Sequence, residues 1–190
     1  MYKRQVYYFA PQKNFGSDGG LWLALMSPKA LERAAKIAAT DRYIPEFLSL
    51  QIAIDNSRLN QTLNTPAIST LFLLNEQIKW INSSGGLAWA DAKTRASSKL
   101  LYDWADATGF ASAFVANPKH RSQVVVTIDF DEAIDAAEIA KVLRSNGVVD
   151  VDPYRKLGRN QLRVATFTST DQADIQALIA CIDYVVAELG

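Results

Sequence analysis

Apolar positions recur at helical spacing in the first half of the chain. The Ser-Pro pair at 27–28 supplies a helix cap followed by proline at the first helical position. One buried face follows at positions i, i+3, i+4 and i+7, formed by Leu31, Ala34, Ala35 and Ala38. The Thr-Pro pair at 65–66 repeats this start signal and predicts a strongly apolar helix that ends near 83–86, before a further helix over 87–107.

The rest of the chain has a different pattern. Residues 6–10 form a short β-rich run, whereas residues 47–64 lack a clear period and are interpreted as strand and loop. After Gly109, β-branched runs at 124–128 and 162–167 alternate with a helical pattern at 131–146. A closing amphipathic helix carries Ile175, Leu178, Ile179, Ile182 and Val186. The pattern of these last eighty or so residues predicts a compact α/β unit.

Composition narrows the class of protein. The 190 residues are 49% hydrophobic and 21% charged, which is typical of a soluble globular chain and excludes disorder, collagen and coiled coil. A formal net charge of zero argues against nucleic acid as a partner. No apolar run is long enough to span a membrane. The single cysteine suits a reducing compartment, so we expect a cytoplasmic protein.

Charge is unevenly distributed along the chain. Residues 1–100 carry twelve basic and seven acidic side chains, whereas residues 101–190 carry eight and thirteen. The two parts therefore have formal charges of +5 and −5. Together with the change of pattern, this predicts a domain boundary near 105–110.

Histidine and cysteine often act in catalysis, but neither residue type predicts a catalytic site in this chain. His120 is the only histidine and lies in a polar loop, so we expect an exposed side chain rather than a general base. Cys181 falls on the apolar stripe of the last helix and is expected to be a small buried thiol. No His, Cys and carboxylate cluster has ligand spacing, so no metal site is predicted.

Three segments contain candidate catalytic or anion-binding residues. Lys13 follows a β-run directly, where an amine can be held for Schiff-base formation, although an exposed surface lysine is the alternative. Asn64 and Thr65 precede a helix, whose free N–H groups favour an anion, although Thr65 could simply cap that helix. The segment 154–163 has four cations and no acid, and Arg163 lies on a predicted strand, where a guanidinium can clamp a carboxylate.

The same segments, in order, resemble the phosphoserine aminotransferases, in particular their actinobacterial-type branch. They are 7–15 (YYFAPQKNF), 60–66 (NQTLNTP) and 155–163 (RKLGRNQLR), and the resemblance extends from Val6 onward. It implies an α/β fold of the type I, class V group of pyridoxal 5′-phosphate enzymes. It also implies a homodimer that converts 3-phosphohydroxypyruvate and glutamate to O-phosphoserine in serine biosynthesis, and serves pyridoxine biosynthesis where phosphohydroxythreonine is also a substrate.

The resemblance also implies roles for individual residues. Lys13 matches the lysine that binds the cofactor, and Gln12 matches a contact to the cofactor phosphate. Asn64 and Thr65 match a motif that reaches the phosphate of the neighbouring subunit's cofactor. Arg163 matches the arginine that holds the substrate α-carboxylate.

The substrate phosphate site departs from the better-known branch. That branch has a His-Arg pair upstream of the carboxylate-binding arginine, whereas this chain has Arg155 and Lys156 in a differently spaced loop. Both side chains are cationic, so the resemblance implies that they bind the substrate phosphate.

The position of Lys13 has a consequence for the domains. The family's lysine lies near the middle of its chain, so about half of the enzyme is expected upstream, including an aromatic residue and an aspartate that contact the cofactor ring. Residues 6–107 would then be the C-terminal part of the large domain, and 108–190 the complete small α/β domain. Residues 1–5 resemble a translated sequencing adapter and are expected to be non-native.

A chain of this kind is expected to be inactive alone. Two alternatives stay open. One is another class V aminotransferase, of the alanine–glyoxylate type, which has no use for a phosphate site. The other is a non-catalytic binding module built from the C-terminal part of such an enzyme.

Overall fold

The structure is a computed structural model that describes residues 6–154 and 156–189. These residues form a mixed α/β arrangement, as the sequence predicted. The expectation that residues 1–5 are non-native concerns a segment outside the described residues. Two compact units are present. Within the described residues, the first unit consists of 6–13 and Ser17–Gln77, and the second consists of Asn14–Gly16 and the residues from Ile78 onward.

The first unit combines a two-stranded antiparallel ladder with helices. Ser27 caps the first helix as predicted, because its Oγ accepts a hydrogen bond from Ala30 N at 3.2 Å. Val6 pairs with Met26 across the ladder. The elements are β1 (Val6–Phe9), β2 (Leu23–Met26), α1 (Pro28–Ala38), a 3-10 turn (Glu46–Leu48), α2 (Leu50–Arg58) and the N-terminal part of α3 (Ile68–Ser83).

Few apolar side chains of the first unit are buried. Among the described residues, the buried apolar side chains of this unit are those of Pro11, Ala30, Ala34 and Leu74. Larger apolar side chains lie in solvent, with Tyr43 90% exposed and Leu25 and Phe47 each 69% exposed. Shallow apolar grooves of about 130 and 230 Å³ run along α1. This unit therefore exposes surface of the kind that proteins normally bury.

The second unit is a three-stranded antiparallel sheet covered by helices on one face. The strands lie in the order β3 (Ala111–Ala113), β4 (Val125–Phe130) and β5 (Gln161–Ala165), and Thr127 of β4 pairs with Arg163 of β5. Its elements, after the C-terminal part of α3, are α4 (Gly86–Ala107), β3 (Ala111–Ala113), a 3-10 turn (Pro118–His120), β4 (Val125–Phe130), α5 (Ala136–Ser145), β5 (Gln161–Ala165) and α6 (Gln172–Leu189).

The core of the second unit is formed by alternate residues of β4 and β5 and by the inner faces of α4, α5 and α6. Its least exposed large side chains are at most 2% exposed: Leu101, Ile128, Ile139, Leu162, Ile175 and Ile182. Since side chains alternate along a strand, the opposite face of this sheet carries the polar residues, including Arg163. The helical and strand patterns read from the sequence after Gly109 are confirmed in this unit.

Four elements differ from the sequence-based expectation. The interpretation of residues 47–64 as strand and loop is wrong over Leu50–Arg58, which form α2, because Ser49 Oγ accepts from Ile52 N at 3.3 Å and starts that helix. The helix expected to open at Thr65 begins at Ile68, where the backbone N–H of Leu71 donates to the carbonyl of Ala67. The short strands β2 and β3 were not predicted.

The compact units divide at 77/78 rather than at 107/108. The physical reason is α4, which places Leu101, Tyr102 and Ala105 in the same core as the three-stranded sheet. The assignment of residues 6–107 to a large domain and 108–190 to a small one stays a prediction.

Cys181 is exposed, so the expected buried thiol is wrong. The buried face of α6 is formed by Ile175, Leu178, Ile182 and Val185. Cys181 lies beside this face, since consecutive residues of a helix are about 100° apart.

Candidate functional site

Lys13 lies in a loop that follows the first strand directly. β1 ends at Phe9, and the loop is closed by a hydrogen bond of 3.2 Å from Ser17 N to the carbonyl of Pro11. Ser17 is itself buried, and its Oγ donates to the carbonyl of Thr70 in α3 at 2.8 Å. The side chains of Gln12 and Lys13 are exposed at the tip of this anchored loop. An amine in this position is free to react while its backbone is held.

The residue after Lys13 is fixed by a second set of bonds. Asn14 Oδ1 accepts from the backbone N–H of Thr168 at 3.0 Å and from its Oγ1 at 3.1 Å. Thr168 is 0% exposed and follows β5 by three residues. Sequence reasoning missed this contact because the two residues are 154 positions apart.

Asn64 and Thr65 lie in the loop between α2 and α3. Both side chains are exposed, and Thr62 Oγ1 donates to the carbonyl of Asn64 at 2.6 Å. Because α3 begins only at Ile68, Thr65 is not its cap. Within the described parts of the chain, neither the Asn64 nor the Thr65 side chain has a hydrogen-bond partner. Both are therefore available to an external acceptor such as a phosphate.

Arg163 lies in β5, on the polar face of the three-stranded sheet. Its backbone N–H donates to the carbonyl of Val151 at 2.9 Å, and its half-buried guanidinium stacks over the Tyr154 ring at 5.6 Å. Among the described residues, Arg163 has no carboxylate within ion-pair distance. The other described arginines of the second unit all have one: Arg95, Arg121, Arg144 and Arg159.

Asp129, the acidic residue of β4 on the same sheet face, is already bonded to other side chains. Asp129 pairs with Gln161 in the ladder, and its carboxylate accepts from Gln161 Nε2 at 2.8 Å and from the guanidinium of Arg159. This hydrogen bond to Asp129 raises the pKa of Arg159. Asp152 is held by Arg144, whose hydrogen bond is the main reason why its pKa is lowered, with a smaller contribution from the charge of Arg163. Arg163 is thus left for an anion from outside the chain.

The remaining candidate residues do not form a further site in the described part of the chain. Lys156 is exposed, and its neighbour Arg155 lies outside the described residues, so the structure does not describe a phosphate site formed by the two. His120 is exposed, as expected. No group of three potential metal ligands is found in the part of the chain that the structure describes. Within that part, no helix combines the length and apolar character that crossing a bilayer requires.

The first unit therefore carries an exposed amine beside an amide, and two exposed polar side chains ahead of α3. The second unit carries a guanidinium without a carboxylate. The sequence of residues 2–151 matches the family described as "Aminotransferase class-V". The chain belongs to the class V aminotransferases.

Curated relatives give a finer comparison. The chain is 62% identical over 185 residues to the phosphoserine aminotransferase of Rhodococcus opacus (strain B4). This match covers 97% of the chain and 50% of the relative. The chain spans about half the length of the curated relatives it matches.

Solved structures support the fold. A phosphoserine aminotransferase from Cytophaga hutchinsonii matches with a TM-score of 0.85 at 20% identity, covering 95% of this chain and 49% of that one. An alanine–glyoxylate aminotransferase from Nostoc sp. matches with a TM-score of 0.78 at 19% identity, covering 95% and 48%. At these identities the likeness concerns the fold, which both enzymes share with this chain.

Proposed function

We propose that the chain is the C-terminal half of a phosphoserine aminotransferase, which transfers the amino group of glutamate to 3-phosphohydroxypyruvate. The observation that carries this proposal is the 62% identity to a curated phosphoserine aminotransferase over 97% of the chain. Alanine–glyoxylate transamination is less favoured, because its support is a likeness of fold at 19% identity. The near-complete coverage by an enzyme also argues against a non-catalytic module.

The residues present fit pyridoxal 5′-phosphate in part. Lys13 offers an exposed primary amine on an anchored loop, which suits an aldehyde cofactor, and the adjacent Gln12 amide can donate to a phosphate. When bound, this cofactor supplies an electron sink for the carbanion that forms at the substrate Cα. The groups that stack on its ring and pair with its pyridine nitrogen belong, in this proposal, to the other half of the enzyme.

The chain's own residues then have separate tasks. Arg163 binds the α-carboxylate that both substrates carry, because its guanidinium has no competing acid. Lys13 Nζ accepts the proton that leaves the substrate Cα and returns it in the reverse step. Arg155 and Lys156 bind the phosphate of the phosphorylated substrate.

Asn64 and Thr65 reach a second subunit in the proposed homodimer. Their exposed side chains, unpartnered within the described residues, bind the phosphate of the neighbouring subunit's cofactor. The small-molecule substrates and the dimer require the whole enzyme. The cytoplasmic location stays a prediction.

Substitutions in the complete enzyme test the proposed function. Arg163→Ala should raise KM for glutamate and for 3-phosphohydroxypyruvate alike, each by roughly tenfold to a hundredfold, since a charge-assisted pair is lost from both complexes.

Arg155→Ala should raise KM mainly for the phosphorylated substrate. Equal losses on both substrates from Arg155→Ala would contradict the phosphate assignment. Absence of transamination by the unsubstituted enzyme would overturn the proposed function itself.

A further inference from the structure

The side chain of Asn14 makes a contact that has no direct part in the proposed transamination. Its Oδ1 accepts two hydrogen bonds from Thr168, of 3.0 Å from the backbone N–H and 3.1 Å from Oγ1. Within the described residues, the Asn14 Nδ2 group has no partner, so the side chain acts here as an acceptor. Two donors from one buried residue converging on one oxygen define the position of Asn14 closely.

Thr168 lies in a segment that the structure holds in place. It follows β5, and the intervening Thr166 is also 0% exposed. The backbone N–H of Thr166 donates to the carbonyl of Val124 at 3.0 Å, a bond that does not involve the Thr166 side chain. The chain leaving β5 is therefore held before it reaches Thr168. A side chain bonded to Thr168 is held to the sheet that carries Arg163.

We propose that Asn14 is a positioning residue for Lys13, acting through Thr168. This inference rests on the proposed function. Asn14 is covalently adjacent to Lys13, so fixing its side chain fixes the backbone from which the lysine side chain departs. A displacement of about 1 Å at a reacting group can cost a hundredfold in rate, so such a constraint matters for an amine that moves a proton.

The bonds themselves predict which substitutions preserve the constraint. Asn14→Ala removes the acceptor and leaves the buried N–H and hydroxyl of Thr168 without it. Asn14→Asp keeps an acceptor oxygen at the same place. Thr168→Val removes the hydroxyl donor but keeps the backbone donor. Thr166→Val is a matched control, because it removes a buried hydroxyl with one hydrogen bond that does not involve Asn14.

The test uses the complete enzyme, with pyridoxal 5′-phosphate and glutamate as probes. Asn14→Ala should lower kcat by about tenfold or more, while KM for glutamate stays within about twofold, because positioning of the amine rather than substrate binding is impaired. The pH midpoint of the visible absorption of the lysine-bound cofactor should also shift. Asn14→Asp should recover most of the lost kcat, and Thr168→Val should fall between the wild type and Asn14→Ala. Thr166→Val should leave both kcat and the absorption midpoint unchanged.

The outcomes separate the two proposals. An active wild type with an unaltered Asn14→Ala variant overturns the positioning role. So does a double variant, Asn14→Ala with Thr168→Val, whose loss in kcat is the product of the single losses, because independent effects exclude a shared contact. If Asn14→Ala does not fold, Thr168→Val against Thr166→Val decides, and equal kcat values for that pair overturn the role. A wild type without transamination defeats the proposed function instead.

Discussion

Arg121 shows how a single side chain can hold several parts of the second unit together. Its guanidinium donates to Asp106 at 2.7 and 3.1 Å and to the carbonyl of Val115 at 3.0 Å, and it lies 4.9 Å from the centre of the Tyr102 ring. The side chain is 13% exposed, so these bonds are partly shielded from water. It contrasts with Arg163, whose charge has no carboxylate partner among the described residues.

Arg121→Ala should therefore destabilise the second unit. We expect a loss of about 1–3 kcal/mol in the free energy of opening, because charged hydrogen bonds and a ring contact are lost together. Amide hydrogen exchange of the buried residues of β4 measures this free energy. Arg95→Ala is the matched control and should change it by less than about 0.5 kcal/mol, since the Arg95–Asp91 pair is an exposed i,i+4 pair. Equal effects of the two substitutions would contradict this account of Arg121.

The same pair predicts how stability depends on pH. The hydrogen bond from Arg121 lowers the pKa of Asp106 in the folded protein. A lowered folded pKa contributes stability above the unfolded pKa, and the contribution is lost as the pH falls through the folded value. The opening free energy of β4 should therefore decrease below about pH 4. Asp106→Asn should reduce this decrease, whereas an unchanged acid profile in that variant would exclude Asp106 as a source.

Residue types in local context revealed part of the candidate site. Lys13 after a strand and Arg163 within one could be selected from sequence, because an isolated cation beside regular structure is a local signal. The bond between Asn14 and Thr168 could not, since nothing in either segment specifies a contact across 154 positions. Thr65 was ambiguous for another reason: a Thr-Pro pair suits both a cap and an exposed loop, and the register of α3 decides between them.

At the scale of elements, Asn160 joins the end of β4 to the start of α5. Its Oδ1 accepts from Ala136 N at 2.8 Å, and its Nδ2 lies within hydrogen-bond distance of three carbonyls, the shortest contact being 2.6 Å to that of Ile134. Asp135 caps the same helix by accepting from Ala137 N at 2.8 Å. One amide outside the helix thus satisfies backbone groups that a sharp turn leaves unpaired.

Asn160→Ala should cost more than loss of the helix cap alone. We expect about 2–4 kcal/mol for Asn160→Ala, because several backbone groups lose a partner. Asp135→Ala should cost about 1 kcal/mol, the usual value for an N-cap. Urea unfolding followed by near-ultraviolet circular dichroism provides the comparison. A loss for Asn160→Ala no larger than that for Asp135→Ala would show that the turn does not depend on the amide.

Elements with strong periodicity were predictable, and short ones were not. α1 and α5 each have a cap and one apolar face, so local signals agree with burial. β2 and β3 have four and three residues, too few for alternation to stand out from neighbouring loops. α2 was missed because its start depends on Ser49, while its apolar residues, Leu50, Ile52, Ala53 and Ile54, do not follow a single buried face.

At the scale of the whole molecule, the two units differ in how completely they bury apolar surface. The second unit has a continuous core between sheet and helices. The first leaves Leu25, Tyr43, Phe47 and Phe72 more than 60% exposed. Each 1,000 Å² of apolar surface left in water forgoes about 25 kcal/mol, which exceeds the typical stability of a domain of ~5–15 kcal/mol. The chain spans about half the length of the curated relatives it matches, and in the proposed complete enzyme the other half would cover this surface.

In the 190-residue chain alone, the backbone amides of the two units should therefore be protected unequally from hydrogen exchange. Backbone amides in β4 and β5 should exchange slowly because their ladder lies on a closed core, whereas those of β1 and β2 should exchange within seconds. Added pyridoxal 5′-phosphate should give no stable visible band that Lys13→Ala abolishes, because the residues proposed to contact the cofactor ring lie in the other half of the enzyme. Co-expression with the proposed other half of the enzyme should slow exchange in β1 and produce such a band. Slow exchange in β1 of the isolated chain would show that the first unit is stable without a covering partner, and the exposed apolar side chains would then need another explanation.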